Sequence, residues 1–184
     1  YRRHADVVGM ASFQLQADTG RGLNRKRKDT ISLDTVSARI DEALGVKLSW
    51  DNVLFGHPKC HRIGYSLVFG EGDHVIDLFD DKAQVEEMLH AFRDTYFDRT
   101  RPRKAVVQGL QAAVENGWLK PGLRYWGGRA VKNWKPLVKS RGKVHKLSFF
   151  MQNFQDRHSL DNERIDNCSF HTMNDAGAVS MCVH

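Results

Sequence analysis

Val7-Val8-Gly9-Met10-Ala11-Ser12-Phe13-Gln14-Leu15-Gln16 is a short apolar run that passes into alternation, the pattern of a largely buried strand. A turn-rich basic segment follows, Thr19-Gly20-Arg21-Gly22 and then Arg25-Lys26-Arg27-Lys28, which reads as a solvated loop. Ser32 next offers an oxygen that can cap a helix, and Asp34 falls in the first turn, where the helix dipole favours an anion. Val36, Ile40 and Leu44 recur at i, i+4 and i+8 before Gly45 supplies the stop. Strand, loop and helix in that order make an α/β unit, and α/β is the fold class this predicts.

Further along, Gly56-His57-Pro58-Lys59-Cys60-His61 lies at the centre of an irregular stretch. Ile63 to Phe69 and His74 to Phe79 are β-rich and joined by Gly70-Glu71-Gly72-Asp73, so a hairpin is expected. Asp80 and Asp81 can cap a helix carrying Val85, Met88, Leu89 and Phe92. A second helix is expected from Pro102 to Gly117, with Val106, Val107, Leu110, Ala113 and Val114. Both faces read as core. Lys146 to Asn153 alternates as a strand, a helical turn is expected over Leu160 to Ile165, and Cys168 to Thr172 faces Ala178 to Val183 across Asn174-Asp175-Ala176-Gly177, a second hairpin.

The 184 residues, 41% hydrophobic and 27% charged, suit one globular domain, with or without a short appendage. No run approaches the ~20 apolar residues of a membrane helix, and no signal-peptide pattern opens the chain. Tyr1 at one end and Met181-Cys182-Val183-His184 at the other stop in mid-pattern, so both ends are expected to be cuts from a longer protein. Cys60, Cys168 and Cys182 are too few, and odd in number, for a secreted disulfide framework. They point to a reducing compartment, the cytoplasm, with thiols that are either structural or metal-binding.

Two cysteines bracketing a glycine turn, Cys168-x8-Gly177-x4-Cys182, can aim both sulfurs at one metal centre, and Cys60 sits just ahead of the other hairpin. Thiolates in such a set suit iron–sulfur clusters or zinc. For zinc, His57-x2-Cys60 and Cys168-x2-His171 would make a Cys₂His₂ set. The plain alternative for each is an unligated core cysteine or a satisfied strand histidine.

The Cys-x8-Gly-x4-Cys segment resembles the opening of the auxiliary-cluster domains, of SPASM and twitch type, that follow the barrel in many radical SAM enzymes; its first gap is one residue shorter than in those domains. Phe149 to Asp156 and Leu160-Asp161-x-Glu163-Arg164-Ile165-x-x-Cys168-x-x-His171 resemble the tetraether-synthase-like branch of that superfamily. So do Ala11-Ser12-Phe13-Gln14 with Gly20-Arg21, and His57-Pro58-x-Cys60 before a hairpin. The resemblance implies residues 1–45 as the last strand and helix of a partial (β/α) barrel. Residues 46–184 would then be an accessory region of two β-hairpins and several helices, truncated like the whole chain at both ends. It implies a [4Fe-4S] cluster on Cys60, Cys168 and Cys182, with His57 and His171 as further candidates. S-adenosyl-L-methionine would bind mainly to an upstream part carrying Cys-x3-Cys-x2-Cys, a motif this chain lacks, so the chain alone is expected to be inactive. Gln14 and Gln16, at the end of the first strand, are the candidates to face that cofactor; the alternative is a buried glutamine bonded to backbone. No catalytic residue is assigned, and the three sulfurs are expected to converge.

The net charge of +6 is local. Between Glu115 and Asp156 no residue is acidic, while Lys120, Arg124, Arg129, Lys132, Lys135, Lys139, Arg141, Lys143 and Lys146 are basic. Trp118, Tyr125, Trp126 and Trp134 interleave with them. The stretch suits an anionic small-molecule, lipid or peptide substrate, an acidic partner surface or single-stranded nucleic acid, in competition with a plain solvated face. Two other function classes therefore stand beside the enzyme: a zinc-stabilised nucleic-acid-binding module and a protein-interaction module.

Overall fold

The computed structural model describes residues 1–15, 17, 31–98, 100–175 and 177–183. Gln16, Gly20, Arg21 and the Arg25 to Lys28 run lie outside these. Among the described residues the chain is mixed α/β, with six α-helices, a 3-10 turn and two sheets. The larger sheet runs β1 (Met10–Leu15), β4 (Val144–Asn153), β2 (His61–Phe69) and β3 (His74–Asp77) in spatial order. β1 lies parallel to β4, whereas β2 is antiparallel to both β4 and β3. A separate pair joins β5 (His171–Asn174) to β6 (Gly177–Ser180). The large sheet therefore draws its strands from both sides of residue 45.

Helix α1 (Leu33–Leu44) forms where its punctuation directs. The Ser32 hydroxyl accepts from the Thr35 N–H, the Thr35 hydroxyl in turn accepts from the Ser32 N–H, and Gly45 closes the helix at φ 71°. Leu33, Ser37, Ile40 and Leu44 form its buried stripe. That stripe meets Ala11 and Leu15 of β1 and Leu147, Phe149 and Met151 of β4, together with Leu48 and Trp50. Each fully buried large side chain here contributes about 1.5–3 kcal/mol. Asp41 of α1 fastens the following loop, accepting from the Leu48 N–H and the Trp50 indole N–H, each at 3.1 Å. Only one face of the sheet is covered in this way. Met10, Ser12 and Gln14, which alternate with the core residues of β1, stay exposed.

Helices α2 (Lys82–Phe92), α3 (Pro102–Glu115) and α4 (Leu119–Lys132) gather round a second small cluster of Ala91, Ala113 and Trp118 with Met88 and Phe92. α4 docks on the β3 edge. The Tyr125 hydroxyl donates to the Leu78 carbonyl at 3.0 Å, and Arg129 donates to the Asp77 carbonyl at 2.6 Å while pairing with Asp80. Arg129 is therefore a half-buried strut, not one of the open surface cations its sequence neighbourhood suggests. The core reading of α3 also needs correction. Val106, Val107, Leu110 and Val114 are exposed, because the helix turns Ala112 and Ala113 inward instead. Short α5 (Trp134–Lys139) leads into β4, and α6 (Asn162–Asp166) precedes Cys168.

Gly64 of β2 lies directly beneath Trp50, and a Cβ there would stand 2.6 Å from the indole ring. Gly64→Val is expected to destabilise the fold by about 1–3 kcal/mol or more through overpacking. Gly9→Ala, with nothing within 4 Å of the added carbon, should change little. Urea denaturation of the two variants checks the contrast.

Candidate functional site

The parallel pairing of β1 and β4 brings their carboxyl ends together, Leu15 opposite Asn153 and Gln14 opposite Gln152. The next strand continues the rung, with His61 opposite Gln152. Residues directly opposite share a face, so Gln14, Gln152 and His61 form one polar row on the face that α1 leaves uncovered. The Gln14 amide donates to the Gln152 carbonyl oxygen at 3.4 Å. Gln14 thus has a strand-end position and a side-chain partner; Gln16 lies outside the described residues.

Cys60 immediately precedes this row. Its N–H closes a turn on the His57 carbonyl at 2.9 Å, and its own carbonyl accepts from the Asn153 N–H at 2.7 Å, which ties the turn to the end of β4. The Asn153 side chain bonds the Lys59 carbonyl at 3.0 Å. Arg164 of α6 reaches the same place, donating Nε–H to the Cys60 Sγ at 3.3 Å and Nη2–H to the Asn153 carbonyl at 2.5 Å. His57 is buried, its Nδ1 accepting from the Lys59 N–H and its Nε2 standing 3.7 Å from Glu163.

Cys168 arrives from more than a hundred residues away. Gly56 packs so closely on the Cys168 segment that a Cβ would fall 2.8 Å from Ser169 Oγ and 2.9 Å from the Asn167 carbonyl. Phe55 and Phe170 flank the His61 ring at 6.3 and 5.7 Å between centroids, and Phe150 closes the third side at 5.9 Å. The Cys168 thiol is held by the backbone of Phe170, as donor to its carbonyl at 2.9 Å and acceptor from its N–H at 3.3 Å. Cys182 follows β6, whose exit is fixed to the same segment by the Met181 N–H on the Phe170 carbonyl at 3.1 Å. All three thiols are unpaired and half-buried. His171, at the start of β5, is exposed.

The Cys60 turn and the Cys168 segment therefore meet at one pole, with Cys182 attached to the second of them. Among the described residues, no three His, Cys, Asp or Glu side chains stand close enough to share an ion, so the expected convergence of the three sulfurs on one point is not found, although their segments share a pole. The donors suit soft-metal ligation in kind, being free thiols without disulfides. Their present hydrogen bonds, to Arg164 and to the Phe170 backbone, are ones that a bound metal would replace.

His61 is the residue of this pole that the sequence patterns do not single out, although it adjoins Cys60 and begins a strand. It is 1% exposed. Its Nε2 accepts from the Phe55 N–H at 3.2 Å, so the neutral ring carries its proton on Nδ1, for which no partner exists among the described residues. Burial lowers its pKa from the ordinary 6.5. A cavity of about 740 Å³ lies elsewhere, bordering α1, the Trp50 loop and α4, and its charges are largely spent on pairs such as Arg62 with Asp34 and Arg129 with Asp80. No protein-family model matches the chain, and no curated protein matches it either.

Since the folded state holds His61 neutral, the unfolded chain binds the extra proton first as pH falls. Stability contributed by this site is present above about pH 6.5 and declines below it. His61→Phe should flatten that decline, with a difference in slope of at most about 1.4 kcal/mol per pH unit. Urea midpoints of both proteins between pH 7.5 and 5 provide the measurement, and parallel curves would contradict it.

Proposed function

We propose that the chain is the C-terminal part of a cytoplasmic radical SAM iron–sulfur enzyme, and that its cysteine pole holds an auxiliary [4Fe-4S] cluster next to the substrate. The observation that carries this reading is the meeting of the Cys60 and Cys168 segments at the carboxyl ends of two parallel strands. Ligands of α/β sheets and barrels gather at that end, because the loops that can shape a site leave from there. On this reading residues 1–45 are the end of a partial (β/α) barrel, with α1 outside and the uncovered face of Ser12 and Gln14 turned to the lumen, and β4 of the accessory region extends the same sheet. Residues 46–184 are the accessory region.

Cys60, Cys168 and Cys182 would hold the cluster, with His57, whose carbonyl closes the Cys60 turn, and His171 as further candidates. When bound, S-adenosyl-L-methionine supplies a 5′-deoxyadenosyl radical that takes a hydrogen atom from substrate, using a reducing cluster on a Cys-x3-Cys-x2-Cys motif absent from this chain. The residues present do the positioning. Gln14 and Gln152 offer amide donors and acceptors to a polar ligand. His61 directs an unmatched N–H into the same pole, and Phe55, Phe150 and Phe170 exclude water from it. Arg164 fixes the Cys60 side chain in place by donating to its sulfur.

Anaerobic reconstitution of the chain with iron and sulfide should give broad visible absorption and bound iron with sulfide. Both should be lost in Cys60→Ala, Cys168→Ala and Cys182→Ala. Stoichiometric zinc without sulfide, dependent on His57 and His171, would replace this reading with a Cys₂His₂ module. No bound metal of either kind would leave the thiols structural.

A further inference from the structure

The basic–aromatic stretch is a pair of helices in near continuity. The Asn133 N–H bonds the Arg129 carbonyl at 2.9 Å and the Leu137 N–H bonds the Asn133 carbonyl at 3.0 Å, so the helical ladder runs from α4 into α5. The inward face is fully used, by Trp118 over Gly122, by Tyr125 and by Arg129. The outward face carries Leu119, Leu123, Trp126, Val131, Trp134 and Val138, at intervals of three to five residues. Leu123 is 66% exposed, Trp134 56% and Val138 68%. A helix whose outer side meets only water is polar there. A contiguous outward apolar stripe marks a surface that something else covers.

The charges flanking the stripe select the occupant. Lys120, Arg124, Lys132 and Lys135 have no carboxylate within ion-pair distance among the described residues, and no acid occurs between Glu115 and Asp156. At the end of α5 the basic flank opens into a cleft of about 670 Å³, lined by Lys135, Lys139, Arg141 and Lys143 against Glu71 and Asp73. Arg141 holds φ at 54°, alone in positive φ among the described non-glycine residues. That conformation closes α5, with the Arg141 N–H on the Val138 carbonyl and the Gly142 N–H on the Leu137 carbonyl, each at 2.9 Å, and it leaves the Arg141 side chain on the lining of the cleft.

We propose that α4 and α5 dock on the surface of an anionic lipid bilayer. The apolar stripe would sink into the headgroup–acyl boundary, the lysines and arginines would lie over lipid phosphates, and the Arg141 cleft would receive a headgroup. Trp beside Lys suits that boundary, where one end of a side chain is apolar and the other wet. Each cation near an anionic surface adds to the attraction. A second copy of the chain would set like charge against like charge. Nucleic acid would leave Leu123, Val131 and Val138 without use, since aliphatic side chains do not stack on bases. The association lies in the surface and does not span it: among the described residues no helix is long and apolar enough to cross a membrane.

Flotation of the chain with phosphatidylcholine vesicles, with and without phosphatidylglycerol, tests this. The chain should float with the anionic vesicles and not with the neutral ones, shift its tryptophan emission to the blue, and be released at about 1 M NaCl, where the screening length is ~3 Å. Trp134→Ser with Val138→Ser, and separately Lys132→Glu with Lys135→Glu, should each weaken partitioning at least about tenfold while leaving the circular dichroism unchanged. Cys60→Ala should float like the unaltered chain, so failure of the metal reading leaves this result intact. Absence of flotation at low salt would overturn the proposal. So would salt-sensitive binding to single-stranded oligonucleotide without vesicle binding, or a dimer in sedimentation that buries the tryptophans and blocks vesicles.

Discussion

The register of β1 on β4, Gln14 beside Gln152, is the contact on which the remaining architecture hangs. A parallel pair cannot be closed by a tight turn, so everything between Leu15 and Val144 has to travel from one end of the sheet back to the other. That requirement gives the molecule two poles. β2 starts beside the carboxyl end of β4 and finishes beside its amino end, with His61 against Gln152 and Phe69 against Val144. Cys60, α6 and Cys168 collect at the first pole, and the Gly70 turn, α5 and Arg141 at the second. The ten residues of β4 separate them by roughly 33 Å, at ~3.3 Å per residue.

The two poles differ in how they are held. At the cysteine pole the fastenings are polar and few: Asn153 on the Cys60 and Lys59 carbonyls, Arg164 on sulfur and on Asn153, and an aromatic cage round His61. Buried atoms there stay unmatched, with His61 Nδ1, Gln155 Nε2 and Ser180 Oγ all lacking partners among the described residues. Unsatisfied buried groups each cost about 1–3 kcal/mol, and proteins keep them mostly where a ligand or water completes the set. The body of the sheet, by contrast, is apolar and closely filled under α1.

Elements governed by their own ends were readable in the sequence. Ser32 and Gly45 delimit α1, Asp81 caps α2 by accepting from the Gln84 N–H, and Pro102 begins α3. The sequence does not announce α4 and α5, because Pro121, Gly127, Gly128 and Pro136 interrupt the helical pattern. What sustains α4 is tertiary: Trp118, Tyr125 and Arg129 locked onto neighbours distant in sequence. The same distinction divides the site. The cysteines announce themselves by chemistry and spacing. Their companions Gln152, His61 and Arg164 become companions only through strand register and the position of α6, which no local pattern encodes.

Arg141 has a consequence for anyone improving the protein. Its left-handed backbone is the conformation glycine adopts without penalty, and Gly142 beside it shares it at φ 74°. A library sorted for thermal endurance alone would favour glycine at 141, relaxing the turn and deleting the cation in one step. Robustness and charge at the cleft would thus trade against each other at a single codon, and a sturdier chain from such a sort would carry one cation fewer there.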